Sequence, residues 1–227
     1  AEVTSDGRYA VITSSISTDS RHEIHVIDLK HRRRGQVWNV LPLVTGYDYD
    51  WNLVDSLGRA MLFVTNQGAP LYRLVSIDTG HVGAGWKQVV AESGEKLERA
   101  DVVGNKLVLN YLKDASSRAL IFDLNGRPAR TIALNGIGSA SGFHGKPGDP
   151  ETFYAFSSFN RPSTVFRFDM ETGASTIFAE PRLTFRPDDY DVDQRFYTSR
   201  DGTRVPMFIV RKHSLVKEGK AAPTLLY

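Results

Sequence analysis

IHVIDL at residues 24–29, YRLVSIDT at 72–79, RALIFDL at 118–124 and VFRFDM at 165–170 are four versions of one phrase. Each follows the two-residue period of a strand and closes on an aspartate: Asp28, Asp78, Asp123 and Asp169. The aspartates are spaced 50, 45 and 46 residues apart. Upstream of each, a second strand pattern is ending or passing: AVITSS, LFVTNQ, LVLNYL and FYAFSS. Downstream comes a glycine (Gly35, Gly80, Gly126, Gly173) and then a short apolar strand: VWNVLPLV, WKQVVAE, ARTIAL or ASTIFAE.

The chemistry of these marks is local. An aspartate at a strand end can accept hydrogen bonds from the backbone N–H groups just beyond it, and glycine supplies the positive φ that a tight hairpin turn uses. Helical periodicity is absent along the chain; apolar patterns have period two or are short buried runs. Repeats of about 45 residues with four short antiparallel strands each are the mark of β-propeller blades. The expected fold is therefore mainly β, with four blades in residues 1–185. The fourth strand of each repeat is the faintest, with DYDWNLV, ERADVV and SASGFHG as candidates, and the first blade lacks its leading strand. Four blades can close as a small ring or form part of a larger one.

After ASTIFAE the repeat stops. DDYDVDQRFYTSRDGTRVPMFIVRK reads as two long strands joined by a tight turn at Asp201-Gly202. A polar loop (217–220) and a buried-type strand APTLLY follow. That set suits the edge of an α/β sheet better than a blade, so a second domain is expected from about residue 186.

Composition narrows the field further. The 227 residues are 41% hydrophobic and 24% charged, an ordinary globular mix able to bury about 70% of the unfolded surface without disulfides or metals. The absence of cysteine excludes thiolate metal sites, a cysteine nucleophile and disulfides, and leaves the compartment open. With 28 basic and 26 acidic side chains the net charge of +2 gives no reason to expect a nucleic-acid partner. The basic run KHRRR (30–34) reads as a solvated hairpin loop. No apolar run approaches the ~18 residues of a membrane span. The opening stretch AEVTSDGRYAV resembles neither a signal peptide nor a natural start, so the chain is expected to begin in mid-structure.

Candidate chemistry is sparse. His22 and His25 stand at i and i+3 in RHEIH, which on a strand puts them on opposite faces, unfit to share an ion. His31, His81, His144 and His213 fall in loop-like contexts. In YDYDW (47–51) Asp48 and Asp50 alternate with Tyr47, Tyr49 and Trp51, and DDYDVD (188–193) alternates similarly. Both read as half-buried strands with a wet face, and neither has the spacing of an EF-hand loop. The nearest approach to a serine-hydrolase elbow is Gly138-Ser139-Ala140-Ser141-Gly142, with alanine in the nucleophile's place and a repeat strand around it. No P-loop or dinucleotide-binding glycine motif is present. No catalytic residue, metal ligand or cofactor is assigned.

DGTRVPMFIVRK followed by APTLLY resembles the entry into the catalytic domain of the prolyl oligopeptidase family, where D-G-T-x-x-P-M-F-I-V precedes a strand leading into Y-G-Y-G-G-F. Upstream, GSASGFHGKPGDPETFYAFSSFNRPSTVFRFD is similar to that family's last blade and TSDGRYAVITS to a middle one. The resemblance spans essentially the whole chain and favours prolyl oligopeptidase over oligopeptidase B and dipeptidyl peptidase. It implies about four blades of an expected seven, then residues 186–227 as the start of an α/β-hydrolase domain. The implied activity is that of a serine peptidase cutting small peptides after proline through a Ser-His-Asp triad and an oxyanion hole. The implied partners are proline-containing oligopeptides, the remaining blades and the catalytic domain. Tyr227 matches the first tyrosine of Y-G-Y-G-G; the nucleophile, acid and histidine would lie further on, leaving this segment the lid. In the family, the loop after the D-G-R-Y strand lines the distal side of the substrate pocket. A gap-free step from Asp6-Gly7-Arg8-Tyr9 places Ser15, Thr18 and Asp19 at its contact positions, and only Asp19 matches in type. The competing expectation is a free-standing propeller that binds a partner without catalysis.

Overall fold

The computed structural model describes residues 1–30, 35, 37–218 and 222–226. Among these the strands form four sheets of four and one two-stranded ribbon. The first sheet holds β1 (Glu2–Val3), β2 (Tyr9–Ser14), β3 (Glu23–Asp28) and β4 (Leu41–Val44). The second holds β5 (Trp51–Leu57), β6 (Ala60–Thr65), β7 (Arg73–Asp78) and β8 (Trp86–Val90). In the third are β9 (Lys96–Val103), β10 (Lys106–Lys113), β11 (Ser116–Phe122) and β12 (Pro128–Ile132). In the fourth are β13 (Ser139–His144), β14 (Glu151–Ser158), β15 (Arg161–Asp169) and β16 (Ser175–Ala179). Every sheet is an antiparallel meander whose strands neighbour in chain order, which is the predicted blade.

The repeated aspartates sit at or just past the end of each third strand and do what their position predicts. Asp28 accepts from Lys30 N at 2.9 Å, Asp78 from Gly80 N at 2.8 Å and Asp123 from Asn125 N and Arg127 N, both at 2.9 Å. Asp169 accepts from Thr172 N at 2.7 Å and Glu171 N at 3.0 Å. Three of the four glycines have the expected positive φ: Gly35, Gly126 and Gly173. Gly80 does not. A Cβ there would stand 2.9 Å from Arg59 Nη1, so this turn uses glycine for room, and Gly85 supplies the left-handed residue after a 3-10 turn at Val82–Ala84.

Period-two strands between two neighbours bury both faces. Met61 and Phe63 of β6 join Tyr9, Val11, Ile24 and Val26 of the first sheet. Leu62 and Val64, pointing the other way, join Leu97, Leu107 and Leu109 of the third. Val103, Val108 and Ile121 of the third sheet meet Tyr154, Phe156, Phe166 and Phe168 of the fourth. Each such buried side chain contributes about 1.5–3 kcal/mol relative to exposure. Among the described residues no buried apolar cluster joins the fourth sheet to the first. On the outer side of the fourth sheet Phe153 and Phe178 pair edge to face at 4.9 Å, with Phe178 65% exposed.

β17 (Tyr190–Thr198) and β18 (Arg204–Lys212) form the predicted ribbon, in unbroken register from Tyr190↔Lys212 to Thr198↔Arg204. Its turn is closed by Ser199 N donating to Thr203 O at 2.9 Å, with Gly202 at φ 85°. Asp201 accepts from Thr203 N at 3.0 Å and from the Ser199 hydroxyl.

Several expectations are corrected. The first sheet does have a leading strand, the two-residue β1, with Glu2 opposite Val11 and Val3 opposite Ala10. The polar stretch after β18 begins as a helix, α1 (His213–Glu218), too short to show periodicity. APTLLY is not a strand: residues 222–226 are exposed and without regular structure, because no described strand lies alongside to pair with them. YDYDW is a bend through 49 and strand only from Trp51, and its supposed wet face contains a buried Asp50. Residues 31–34 of the basic run, His31 and Tyr227 lie outside the described residues.

Candidate functional site

In a stack of meanders, equivalent connections come out at the same end. The loop between β2 and β3, residues 15–22, therefore shares an end with the 66–72 loop and with the turns at 114–115 and 159–160. Ser15 and Thr18 are exposed there and Asp19 is half-buried. Ser15 Oγ donates to Ser17 O at 3.4 Å, and Asp19 N to Ile16 O at 3.1 Å. Arg21 Nε lies 2.9 and 3.0 Å from the two Asp19 carboxylate oxygens and Arg21 Nη2 2.5 Å from Oδ2. Those charge-assisted bonds, with Arg21 N at 2.9 Å, hold the Asp19 carboxyl well below the usual range, so it is ionised at neutral pH. Ser15 and Thr18 are thus exposed hydroxyl residues, and Asp19 presents a guanidinium-capped carboxylate.

Beneath the loop is a buried acid. Asp50, 7% exposed, accepts from Ser20 Oγ at 2.8 Å and from the Tyr72 hydroxyl, while its own N–H reaches Asn66 Oδ1 at 2.9 Å. His22 adds two ties across the same joint: its N–H to Tyr49 O at 3.0 Å and its Nδ1 to Trp51 O at 3.1 Å. Sequence reasoning misses Asp50, since alternation alone puts it on the solvent side. The signal that points to it is its place in the link between two sheets, where chain reversals are packed over.

The ribbon docks at this end too, on the third and fourth sheets. Gln194 Nε2 donates to Asp114 O at 2.6 Å and Arg204 Nη1 pairs with Asp114 Oδ1 at 3.4 Å. Asn160 Nδ2 donates to Pro187 O (3.2 Å) and Tyr190 O (3.1 Å), Arg161 pairs with Asp188 at 3.0 Å, and Phe159 meets Phe208 at 4.8 Å. Asp114 and Ala115 are both left-handed, with φ 47° and 60°, as a two-residue hairpin turn of this hand requires.

The remaining candidates resolve into local pairs. His81 meets Asp78 (3.2 Å), His144 meets Asp101 (2.9 Å) and His213 meets Asp191 (2.8 Å). His22 and His25 stay apart, the first on Trp51 O and the second opposite Ile12 in the sheet. In DDYDVD, Asp188, Asp191 and Asp193 pair with Arg161, His213 and Arg211. Among the described residues no three His, Asp or Glu side chains come together to hold a metal. Ser139 to Gly142 lie along β13, with Gly138 just before it, as predicted for a strand start and not an elbow.

The chain is 37% identical to prolyl endopeptidase of Elizabethkingia meningoseptica over 228 residues, covering 100% of this chain and 31% of that protein. Against prolyl oligopeptidase ophP of Omphalotus olearius the identity is 31%, again over 100% of this chain and 31% of the relative. A solved prolyl endopeptidase superposes with a TM-score of 0.80 at 44% identity, covering 93% of this chain and 31% of that one. Prolyl oligopeptidase B from Galerina marginata, solved as the apo protein, gives 0.84 at 26% identity over 93% and 31% of the two chains. The chain thus spans about a third of the length of the relatives it matches. The model of the prolyl oligopeptidase N-terminal β-propeller domain matches residues 1–181, and the chain belongs to that family.

Proposed function

We propose that these 227 residues are the propeller part, with the first ribbon of the hydrolase domain, of a serine-type prolyl oligopeptidase that cleaves small peptides after proline. The domain boundary is placed near residue 186, and the blades serve as a lid over the catalytic domain. One observation carries the reading. The ribbon containing DGTRVPMFIV is not a fifth blade, and it docks on the same end of the stack as the 15–22 loop. The catalytic domain that the ribbon would open is thereby directed to the end where Ser15, Thr18 and Asp19 stand. There the hydroxyls of Ser15 and Thr18 and the ionised Asp19 offer hydrogen-bonding groups to a bound peptide. The blades' contribution is to enclose that peptide and exclude bulk water and larger chains, which strengthens polar contacts within. The absence of a buried joint between the fourth and first sheets, among the described residues, favours an arc of a larger ring over a closed four-bladed module.

The test is hydrolysis of a chromogenic Gly-Pro substrate. Full-length protein is expected to turn it over, to lose activity to a serine-directed phosphonate and to reject folded proteins, while residues 1–227 alone give no turnover. A full-length protein without prolyl cleavage, or turnover by the purified 227-residue chain, overturns the reading.

A further inference from the structure

Tyr72 is a bulky residue held at φ 66°, a conformation that L side chains avoid, at the last position before β7. Its N–H closes a turn onto Ala69 O at 2.8 Å, and Lys96 Nζ lies 5.5 Å from its ring centroid. What this backbone conformation achieves is to deliver the phenol to the buried carboxylate of Asp50. The other carboxylate oxygen takes Ser20 Oγ, from near the end of the 15–22 loop. A buried carboxyl group needs hydrogen-bond partners, and Ser20 and Tyr72 supply them. Burial, then Asp50, pushes the Tyr72 hydroxyl up to about 12, so it stays a donor at every working pH.

The arrangement is a chain of command from the second sheet to the first. Tyr72 and Asn66 from one loop fix Asp50 in the link, and Asp50 fixes Ser20, one residue after Asp19. We infer that Asp50 and Tyr72 are positioning residues for peptide binding, holding the 15–22 loop so that Ser15, Thr18 and Asp19 meet the substrate already ordered. The inference rests on the prolyl-peptidase reading above. An ordered loop matters because apparent affinity falls by the fraction of molecules in the binding-competent state.

The experiment uses full-length protein with Ser20→Ala, which removes the loop's side-chain bond to Asp50 and keeps the two His22 ties, and Tyr72→Phe, which removes the second donor to Asp50. Tyr154→Phe serves as control, since it removes a hydrogen bond within the fourth sheet, far along the stack. Steady-state hydrolysis of a proline-containing oligopeptide is measured together with amide hydrogen exchange of residues 15–22. Loss of one hydrogen bond predicts exchange in the loop faster by roughly three- to tenfold, and a KM raised by up to the same factor with kcat unchanged. The control keeps its KM. A purely structural role would lower the active fraction, reducing apparent kcat at constant KM. That result overturns the inference, and so does faster loop exchange with unchanged KM, or unchanged exchange. Failure of the underlying reading looks different: wild-type protein then shows no prolyl cleavage at all.

Discussion

Tyr154 stands between two rings: Phe143 is stacked on one side at 4.8 Å and Phe166 on the other at 5.1 Å, with interplanar angles of 15° and 13°. It is 1% exposed, and its hydroxyl donates to Ser175 Oγ at 3.0 Å. Three substitutions separate what it does. Tyr154→Phe removes only the hydroxyl bond; Ser175 is half-buried and can turn to water, so the loss sits near the low end of the usual 0.5–1.5 kcal/mol, at about 0.5 kcal/mol. Tyr154→Leu keeps apolar bulk but ends both stacks, each worth about 0.5–1.5 kcal/mol beyond burial, for a loss of about 1–3 kcal/mol. Tyr154→Ala opens a cavity between the third and fourth sheets and is expected to lose about 3–5 kcal/mol. In urea, with a slope of about 2–3 kcal/mol per molar, alanine moves the midpoint down by roughly 1–2 M and phenylalanine by less than about 0.5 M. The required order is Phe, then Leu, then Ala. If phenylalanine costs as much as alanine, the hydroxyl and not the ring holds this joint; if alanine costs under about 2 kcal/mol, the fourth sheet is not packed on the third as described.

Two further outcomes rest on geometry. In Gly138→Ala the new Cβ would stand 2.1 Å from Ser157 O and 2.8 Å from Phe156 Cζ, while Ser157 is paired with Ser139 in the sheet. The strand cannot yield freely, and a loss of at least about 2 kcal/mol is expected in thermal unfolding, whereas an unchanged melting temperature would contradict the close approach. Alkaline stability is the second. Burial, then Glu95, pushes the Tyr111 phenol up to about 12, and Tyr72 is raised similarly. The folded state therefore holds these protons more tightly than the unfolded chain, whose tyrosines titrate near 10. Their contribution is intact below about pH 10 and is lost as pH rises from about 10 to about 12. Denaturation midpoints measured across that range should fall steeply for the native chain and less steeply for Tyr111→Phe; parallel curves would argue against it.

The repeat is legible because its marks are local: an aspartate and the N–H groups next to it need no tertiary context, and all four behave alike. The faint strands, DYDWNLV, ERADVV and SASGFHG, are the first of their sheets, β5, β9 and β13. They read weakly because they are polar on alternate residues and, in all three, interrupted by a bulge. APTLLY fails as a strand for the opposite reason. Its apolar pattern is strong, but a strand exists only through its neighbour. At the candidate site the loop is legible and its support is not. Nothing in the letters of Tyr72 announces a left-handed backbone, and Asp50 reads as exposed only when a period of two is extended across a bend.

Each buried cluster joins two consecutive sheets, and none spans three among the described residues. Cooperativity in such a stack passes from neighbour to neighbour, as in a one-dimensional array of repeats. Among the described residues the second and third sheets each share a buried apolar cluster with two neighbours, the first and fourth with one. In the 227-residue chain taken by itself, fraying is therefore expected to begin at the first and fourth sheets, with amide protection greatest in β6 and β10. Damage at the Tyr154 joint would leave the Phe63 joint at nearly full strength, a form of insulation that a single shared core does not provide.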